Sequence, residues 1–383
     1  MKELINFGLP AGQKELIKEF KLFTKDWIIP NALKYDKLAK FPWEIIKAAY
    51  NRNIMNSVMP KKCGGRECSI MDSTLIAEEL GAGCPGIAIS IIANDLGITP
   101  WVIGASEEQL EKFSGKLIEK EGVVAYCLTE PNAGSDVSAI SSTAILKGNE
   151  YILNGHKRFI TSAEVASYFT VFAITNPEKG ARSLTAFIVD AKSPGIDIKS
   201  QLEKMGQKAS VQNEIIFTDV KIPKENVIKG EGHGFLLAMR TFDRTRTGVA
   251  ALSIGAARSA YEKARDWTKN RIQFGKPISE QQAIAFILAD MATQIEAARM
   301  LTWRAAWAYD NKQKDASILS AMAKMFASDV AMKVTTDAVQ AMGGDGYTVE
   351  FGVEKLMRGV KLCQIYEGTN QIQRVVISKG ILK

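Results

Sequence analysis

Histidine is nearly missing from this chain: 383 residues hold two, His156 and His233, in separate glycine-containing stretches. Either ring alone reads first as a solvated loop residue, so a histidine-centred mechanism has little to build on. Cysteine is thin as well. Cys63, Cys68, Cys84, Cys127 and Cys363 are odd in number and include no Cys-x-x-Cys spacing, which supports neither a disulfide framework nor a metal site. No Walker sequence, nucleophile elbow or His-Glu-x-x-His occurs. No apolar run approaches the ~18 residues that would span a bilayer, so no membrane span is predicted. The opening MKELINFGLPAGQKELIKEF mixes acids with bases and lacks both an apolar leader and the Arg-rich, acid-poor texture of a transit peptide, which predicts a cytoplasmic protein. Long runs of one charge are also absent. The net charge of +7 comes from 49 basic and 42 acidic residues scattered along the chain, which argues against nucleic-acid binding but suits anionic small molecules or an acidic protein partner.

What is present is a globular composition, 46% hydrophobic and 24% charged, on a chain too long for one hydrophobic core. Up to about residue 120 the apolar residues recur at three-to-four spacing, as in TLIAEELGAGC and GIAISIIANDLGI, which predicts helices. The texture then changes to short β-branched and aromatic runs, such as YFTVFAIT, SLTAFIVD and QNEIIFTDVKI, separated by Gly-Asn, Asn-Gly and Pro-Gly turns. After KGEGHGF the helical period returns. We therefore expect an α+β protein: a helical domain over 1–121, a middle domain of antiparallel strands over 122–232, and a C-terminal four-helix bundle over 233–383. A Ser279-x-x-Gln282 capping box is expected to open one long helix, and Gly343-Gly344 to end the next in a left-handed cap. The literal Gly-x-Gly-x-x-Gly at 81–86 follows a helix and contains Pro85. It reads as a helix stop and not as a dinucleotide fingerprint.

Two carboxylates hold the chemical interest. Glu367 stands between an apolar helix face, Val353, Leu356, Met357, Val360, Cys363 and Ile365 ending at Tyr366, and a second one that starts at Ile372. By spacing alone it is a loop residue, with Gly368 turning the chain and Thr369 or Asn370 capping the last helix. The alternative is a carboxylate wedged between buried helices, poorly hydrated and basic enough to take a weakly acidic proton. Asp95 sits in the otherwise apolar IIANDLGITP. It either bonds local backbone or faces solvent, or it points into a pocket.

Several separated motifs occur together and in order: YCLTEPNAGSDV, NGHKRFIT, FDRTR, RIQFGKPISEQQAIAF, QAMGGDGY and IYEGTNQIQR. Collectively they resemble the acyl-CoA dehydrogenase family of flavoproteins, and the resemblance covers nearly the whole chain. It implies that Glu367 is the base that removes the α-proton of an acyl-CoA thioester while the β-hydrogen leaves as hydride to the N5 atom of FAD. It places Tyr126, Leu128, Thr129 and Ser135 at the flavin, with Phe159 and Thr161 beside its ring system; many relatives carry Trp at the Phe159 position. Arg271, Gln273, Phe274, Gln281 and Gln282, with Gln340, Gly343 and Gly344, match positions that reach the FAD of a neighbouring subunit. Thr369 and Gln371 match further FAD contacts. Ser135, Asp243, Thr245, Arg246, Tyr366 and Gly368 match substrate-side positions, with Ile89, Ile92, Ala93, Leu96 and Val249 expected along the acyl pocket.

The resemblance also implies a homotetramer that passes electrons to electron-transfer flavoprotein. The same site run in reverse would be an enoyl-CoA reductase. Straight-chain relatives often carry a small neutral residue where Asp95 stands. Some relatives acting on alicyclic acyl-CoA thioesters use an aspartate in this region as base for 1,4-elimination, but lose the usual glutamate; here Glu367 remains. Asp95 is thus expected to shape a polar or cyclic substrate.

Overall fold

A computed structural model describes residues 8–382. Six helices come first: α1 (Ala11–Phe23), α2 (Ala32–Leu38), α3 (Trp43–Asn51), α4 (Ile70–Gly83), α5 (Pro85–Gly104) and α6 (Glu107–Glu119). Ser69 and Ser106 open α4 and α6 with reciprocal capping boxes. Between α4 and α5 lies Cys84 alone, in extended conformation with Pro85 at the first position of the next helix. The Gly-x-Gly-x-x-Gly stretch is therefore a helix boundary, as expected. The expectation about apolar runs is corrected: the 20-residue α5 contains an 18-residue stretch of mean hydropathy 1.5, long and apolar enough to cross a membrane, and 72% of that stretch lies buried inside the protein. Ser90, Asn94, Asp95 and Thr99 interrupt its sequence, which is why it escapes a search for an unbroken run.

Eight strands follow: β1 (Val124–Cys127), β2 (Thr143–Lys147), β3 (Glu150–Thr161), β4 (Tyr168–Ile174), β5 (Leu184–Asp190), β6 (Ile196–Ile198), β7 (Gln212–Pro223) and β8 (Val227–Ile228). They form one sheet in the order β6-β7-β3-β2-β4-β5-β8, with β1 added beside β4. Most ladders are antiparallel, but β1 runs parallel to β4, Val124 opposite Tyr168, and β2 meets the far end of β4 in parallel at Thr143 and Ile174. Strand periodicity does not encode partner direction; here the connecting segments decide it.

The C-terminal bundle starts with the 37-residue α7 (Gly234–Asn270) and a short hairpin, β9 (Ile272–Gln273) and β10 (Lys276–Pro277). Then come α8 (Gln282–Asp310), α9 (Ala316–Met342), α10 (Gly344–Tyr347), α11 (Val353–Lys361) and α12 (Asn370–Ile381). Two expected caps are not made. Extended Gln281 separates the turn at Ile278–Glu280 from α8, so Ser279 caps nothing and α8 begins without a side-chain cap. At Gly343 φ is +61° but ψ is −136°, outside the left-handed helical region, and the chain starts α10 at once.

The first domain and the bundle share one interface. α4 and α7 cross so closely that a Cβ on Gly255 would lie 2.1 Å from the Glu78 carbonyl oxygen, and one on Gly81 2.5 Å from that of Leu252. The same crossing holds a buried ionic cluster: Arg299 pairs with Glu78 and Glu296, and Arg258 with Glu79. Burial of these carboxylates is tolerable because each guanidinium fork supplies several donors in one place.

Candidate active site

Glu367 lies in the link between α11 and α12, and both dull predictions about this link hold. Gly368 turns the chain at φ +89°, and the Thr369 hydroxyl caps α12 by accepting from the Ile372 N–H at 3.2 Å. Glu367 itself takes φ +51°, a conformation that L-residues other than Asn or Asp adopt reluctantly. Its carboxylate nonetheless faces a cavity. The lining brings together α4 (Ile70, Ser73, Ile76), α5 (Ile89, Ile92, Ala93, Asp95, Leu96) and α7 (Thr245, Val249), with Glu367 at one side. All five expected acyl-pocket residues are among them. Ile365 departs from expectation: it is half exposed and outside the buried stripe.

Burial raises the proton affinity of Glu367 above that of an ordinary carboxylate, because the apolar walls disfavour its charged form. The Thr245 hydroxyl, donating to Oε2 at 2.6 Å, and the positive charges of Arg246 and Lys324 oppose that rise. Arg246 is buried and ion-pairs with Asp243 at 2.8 Å, and Asp243 also accepts from the Ser317 hydroxyl at 2.9 Å. Tyr366 does not line this cavity. Its hydroxyl sits 3.4 Å from both Gln207 Nε2 and Cys363 Sγ, at the seam with the middle domain.

Asp95 neither faces solvent nor bonds backbone within its own helix. Oδ2 accepts from the Ser57 hydroxyl, while Oδ1 is shut off from solvent without a partner. Desolvation pushes its pKa up to about 6. The cavity therefore carries two carboxyl groups of raised proton affinity.

Of the residues expected at the flavin, Tyr126 lies near enough to feel the Glu367 charge, and none lines the cavity itself. Tyr126 on β1 packs against Phe172 and Phe242, with ring centroids 5.0 and 5.8 Å away. Its hydroxyl is buried without a partner, and burial together with the Glu367 charge raises its pKa. Leu128 is buried and Thr129 half-buried, while Ser135 is exposed on the following loop. Phe159 is held at φ +58° with its ring 53% exposed, and the neighbouring Thr161 hydroxyl accepts from Gln212 at 3.1 Å. The exposed Phe159 ring and the orphaned Tyr126 hydroxyl are each a feature that a flat cofactor with polar edges, such as FAD, would satisfy. Arg271, Gln273, Phe274 and Gln282 are exposed on and after the β9-β10 hairpin, with Gln281 half-buried, and Gln340, Gly343 and Gly344 are exposed at the end of α9. None of these lines the Glu367 cavity. Thr369 is half-buried, and Gln371 is exposed on α12.

Sequence reasoning missed two buried lysines. Lys157 donates to the Leu128 carbonyl at 3.1 Å and pairs with Glu130 at 2.7 Å. Lys324, fully buried on α9, donates to the Gly368 carbonyl at 2.7 Å. A signal for the second was present: Ser320, Lys324 and Ser328 form a polar stripe of period four inside an alanine-rich helix.

Models of the N-terminal, middle and C-terminal domains of acyl-CoA dehydrogenases match residues 10–121, 125–220 and 232–382. The chain is 41% identical over 356 residues to cyclohex-1-ene-1-carbonyl-CoA dehydrogenase of Geobacter metallireducens, covering 93% of this chain and 94% of that one. Butyryl-CoA dehydrogenase from Megasphaera elsdenii superimposes with a TM-score of 0.95 at 38% identity, covering 99% of this chain and all (100%) of that one. A chain solved in work on the electron transferring flavoprotein of Acidaminococcus fermentans and flavin-based electron bifurcation gives the same TM-score, 0.95, at 41% identity with 99% and 100% coverage. Sequence, fold and domain order agree: this chain belongs to the acyl-CoA dehydrogenase family and is an oxidoreductase with FAD as its cofactor.

Proposed function

We propose that the protein introduces an α,β double bond into an acyl-CoA thioester, with Glu367 as the base, and passes the electrons to electron-transfer flavoprotein. One observation carries the reading: the Glu367 carboxylate opens into an otherwise largely apolar cavity, with its basicity raised by burial and its orientation set by Thr245. The α-C–H of a thioester is a very weak acid. Its removal needs a strong base close at hand and donors aimed at the developing enolate oxygen in a water-poor site. In this reading Glu367 takes the α-proton on a carboxylate oxygen, and its own backbone N–H serves as one donor to the thioester oxygen. Gly368, without a side chain, lets the thioester approach that backbone. FAD, when bound against Tyr126, Leu128, Thr129, Ser135, Phe159 and Thr161, supplies the acceptor for the β-hydrogen as hydride. Asp243 and Arg246 lie on the CoA side. The exposed hairpin with Phe274, which is 92% exposed, supports assembly into a homotetramer.

A second reading concerns the acyl group. Asp95 lines the same cavity as Glu367 and keeps one oxygen without a hydrogen-bond partner, and the G. metallireducens relative is named for a cyclic acyl-CoA. Both favour an alicyclic substrate that Asp95 helps to orient or deprotonate. The partner assignment draws on the flavoprotein work in which a similar chain was solved.

The test is an anaerobic titration of the purified holoenzyme with butyryl-, cyclohexanecarbonyl- and cyclohex-1-ene-1-carbonyl-CoA, followed by flavin absorbance. Bleaching is expected for at least one, and Glu367→Gln should retain FAD but lose bleaching and α-proton exchange. Exchange at the wild-type rate in Glu367→Gln would sink the assignment of the base. If no acyl-CoA bleaches the flavin but an enoyl-CoA reoxidises the reduced enzyme, the physiological direction is reduction.

A further inference from the structure

The turn that presents Glu367 is held from behind by hydrogen bonds to its carbonyls. Gln373 Nε2 donates to the Glu367 carbonyl at 3.2 Å and to the Gly368 carbonyl at 2.9 Å. Lys324 Nζ donates to the same Gly368 carbonyl at 2.7 Å and to Asn370 Oδ1 at 3.0 Å. Asn370 in turn donates to Asp329 at 2.7 Å and to the Ser328 hydroxyl at 2.9 Å. Two consecutive residues in positive φ, one of them a glutamate, are thus held by two side chains, of which only Lys324 is charged, and Asn370 braces Lys324.

An ammonium is an expensive choice for that work. Lys324 has no exposed surface, and among the described residues it makes no ion pair. A neutral amide could fill the same hydrogen bonds, as Gln373 does, without the penalty of burying a charge. The charge itself therefore asks for a use, and the group that responds to it is the base. The positive charges near the Glu367 carboxylate are Arg246 from α7 and Lys324 from α9. Arg246 acts on Glu367 more strongly but is ion-paired with Asp243, whereas Lys324 makes no ion pair among the described residues and, of the carboxylates, feels only the weaker charge of Asp329 besides Glu367. The other ionisable groups facing this region are Tyr126 from β1, Tyr366 beside the base, Cys363 before α12, Asp329 on α9 itself, and Asp95 and Arg244 across the cavity. Burial lowers the Lys324 pKa to about 8, so the ammonium form persists at neutral pH.

We propose that Lys324 is a positioning residue for the base: its ammonium clamps the Glu367–Gly368 turn, and its buried positive charge keeps the Glu367 carboxyl in the ionised form that accepts a proton. The inference rests on the reading of Glu367 as the base. Gln373 shares the first role and has no part in the second, which is what separates a tuned charge from a purely structural contact.

The experiment measures the Glu367 carboxyl directly in the holoenzyme without substrate. Infrared titration, taken as the difference between each protein and the same protein carrying Glu367→Gln, isolates the protonated-carboxyl band of that one group. Lys324→Met is expected to move the midpoint up by about one pH unit, the effect of removing an opposite charge nearby, with FAD content unchanged. Gln373→Met should leave the midpoint in place while slowing α-proton exchange on butyryl- or cyclohexanecarbonyl-CoA. An unmoved midpoint in Lys324→Met with full FAD content overturns the proposal. Should that variant not fold, Lys324→Gln keeps a donor and makes the same comparison; failure of both to fold would assign Lys324 to folding and overturn the proposal equally. Because the midpoint is read without turnover, silence towards every acyl-CoA would sink the functional reading separately from this one.

Discussion

The buried Lys157–Glu130 pair beside the segment that follows β1 offers the sharpest stability test. Lys157 is 0% exposed and Glu130 4%, and the carboxylate also accepts from the Ser141 N–H at 2.7 Å, the Ser141 hydroxyl at 2.8 Å and the Ser142 N–H at 3.0 Å. Through the Leu128 carbonyl the lysine holds the segment that follows β1, and the Arg158 N–H bonds the next carbonyl, Thr129, at 2.9 Å. Removing one partner strands the other in a dry site, so Lys157→Met should cost about 3–5 kcal/mol of stability. Glu130→Gln alone should cost less, because the amide oxygen still accepts from the serine N–H groups. The double variant should recover part of the loss, giving a coupling of at least about 1 kcal/mol. Thermal unfolding of the four holoenzymes, with released FAD fluorescence as a second probe, measures the cycle. The pH dependence has a definite sign. Neighbouring Lys157 and the serine donors hold the Glu130 pKa down to about 2, against an ordinary 4.5. The stabilisation is therefore full above pH 4.5 and is lost as pH falls towards 2. In Lys157→Met acid-induced release of FAD should begin at higher pH. Additive single and double losses, with no change in the pH of release, would refute the view that the two groups act as one unit.

Three further outcomes follow from the cavity. Thr245→Val removes the hydrogen bond that opposes the desolvation of Glu367, so its pKa should climb further; since the base works ionised, the acid limb of kcat should move up by up to about one pH unit, and a stationary limb would deny Thr245 that role. Asp95→Asn should change the ratio of straight-chain to alicyclic turnover and abolish any inflection of that ratio near pH 6, where Asp95 ionises; an unchanged ratio would remove Asp95 from substrate selection. Gly255→Val drives a side chain into the Glu78 carbonyl at the α4–α7 crossing, and should destabilise by about 3 kcal/mol and raise KM for acyl-CoA; wild-type stability by thermal unfolding would contradict the tight crossing.

Element type and order were legible in the sequence because hydrophobic period is a local property. The change from a three-to-four spacing to short β-branched runs and back marks the three domains without any contact being known. The Glu367–Gly368–Thr369 link was legible in the same way, since turn and cap preferences depend on one or two neighbours. Two caps failed because the backbone took another course at the helix end: extended Gln281 uncouples Ser279 from α8, and Gly343 turns directly into another helix. The strand directions beside β4 were invisible for a like reason, because partner choice is made by connections and not by period.

The sequence alone determined the class of chemistry, because the motifs that carry it are short, ordered and particular. Only the tertiary structure decided what the two carboxylates experience. Asp95 and Glu367 are 272 positions apart in the chain, yet both open into the cavity where α4, α5 and α7 meet. Their raised proton affinities and the Thr245 hydrogen bond arise from that meeting, and the buried ammonium of Lys324 from the packing of α9 behind the Glu367–Gly368 turn. Desolvation and Coulomb interaction depend on distance and burial in space, and no local pattern along the chain records either.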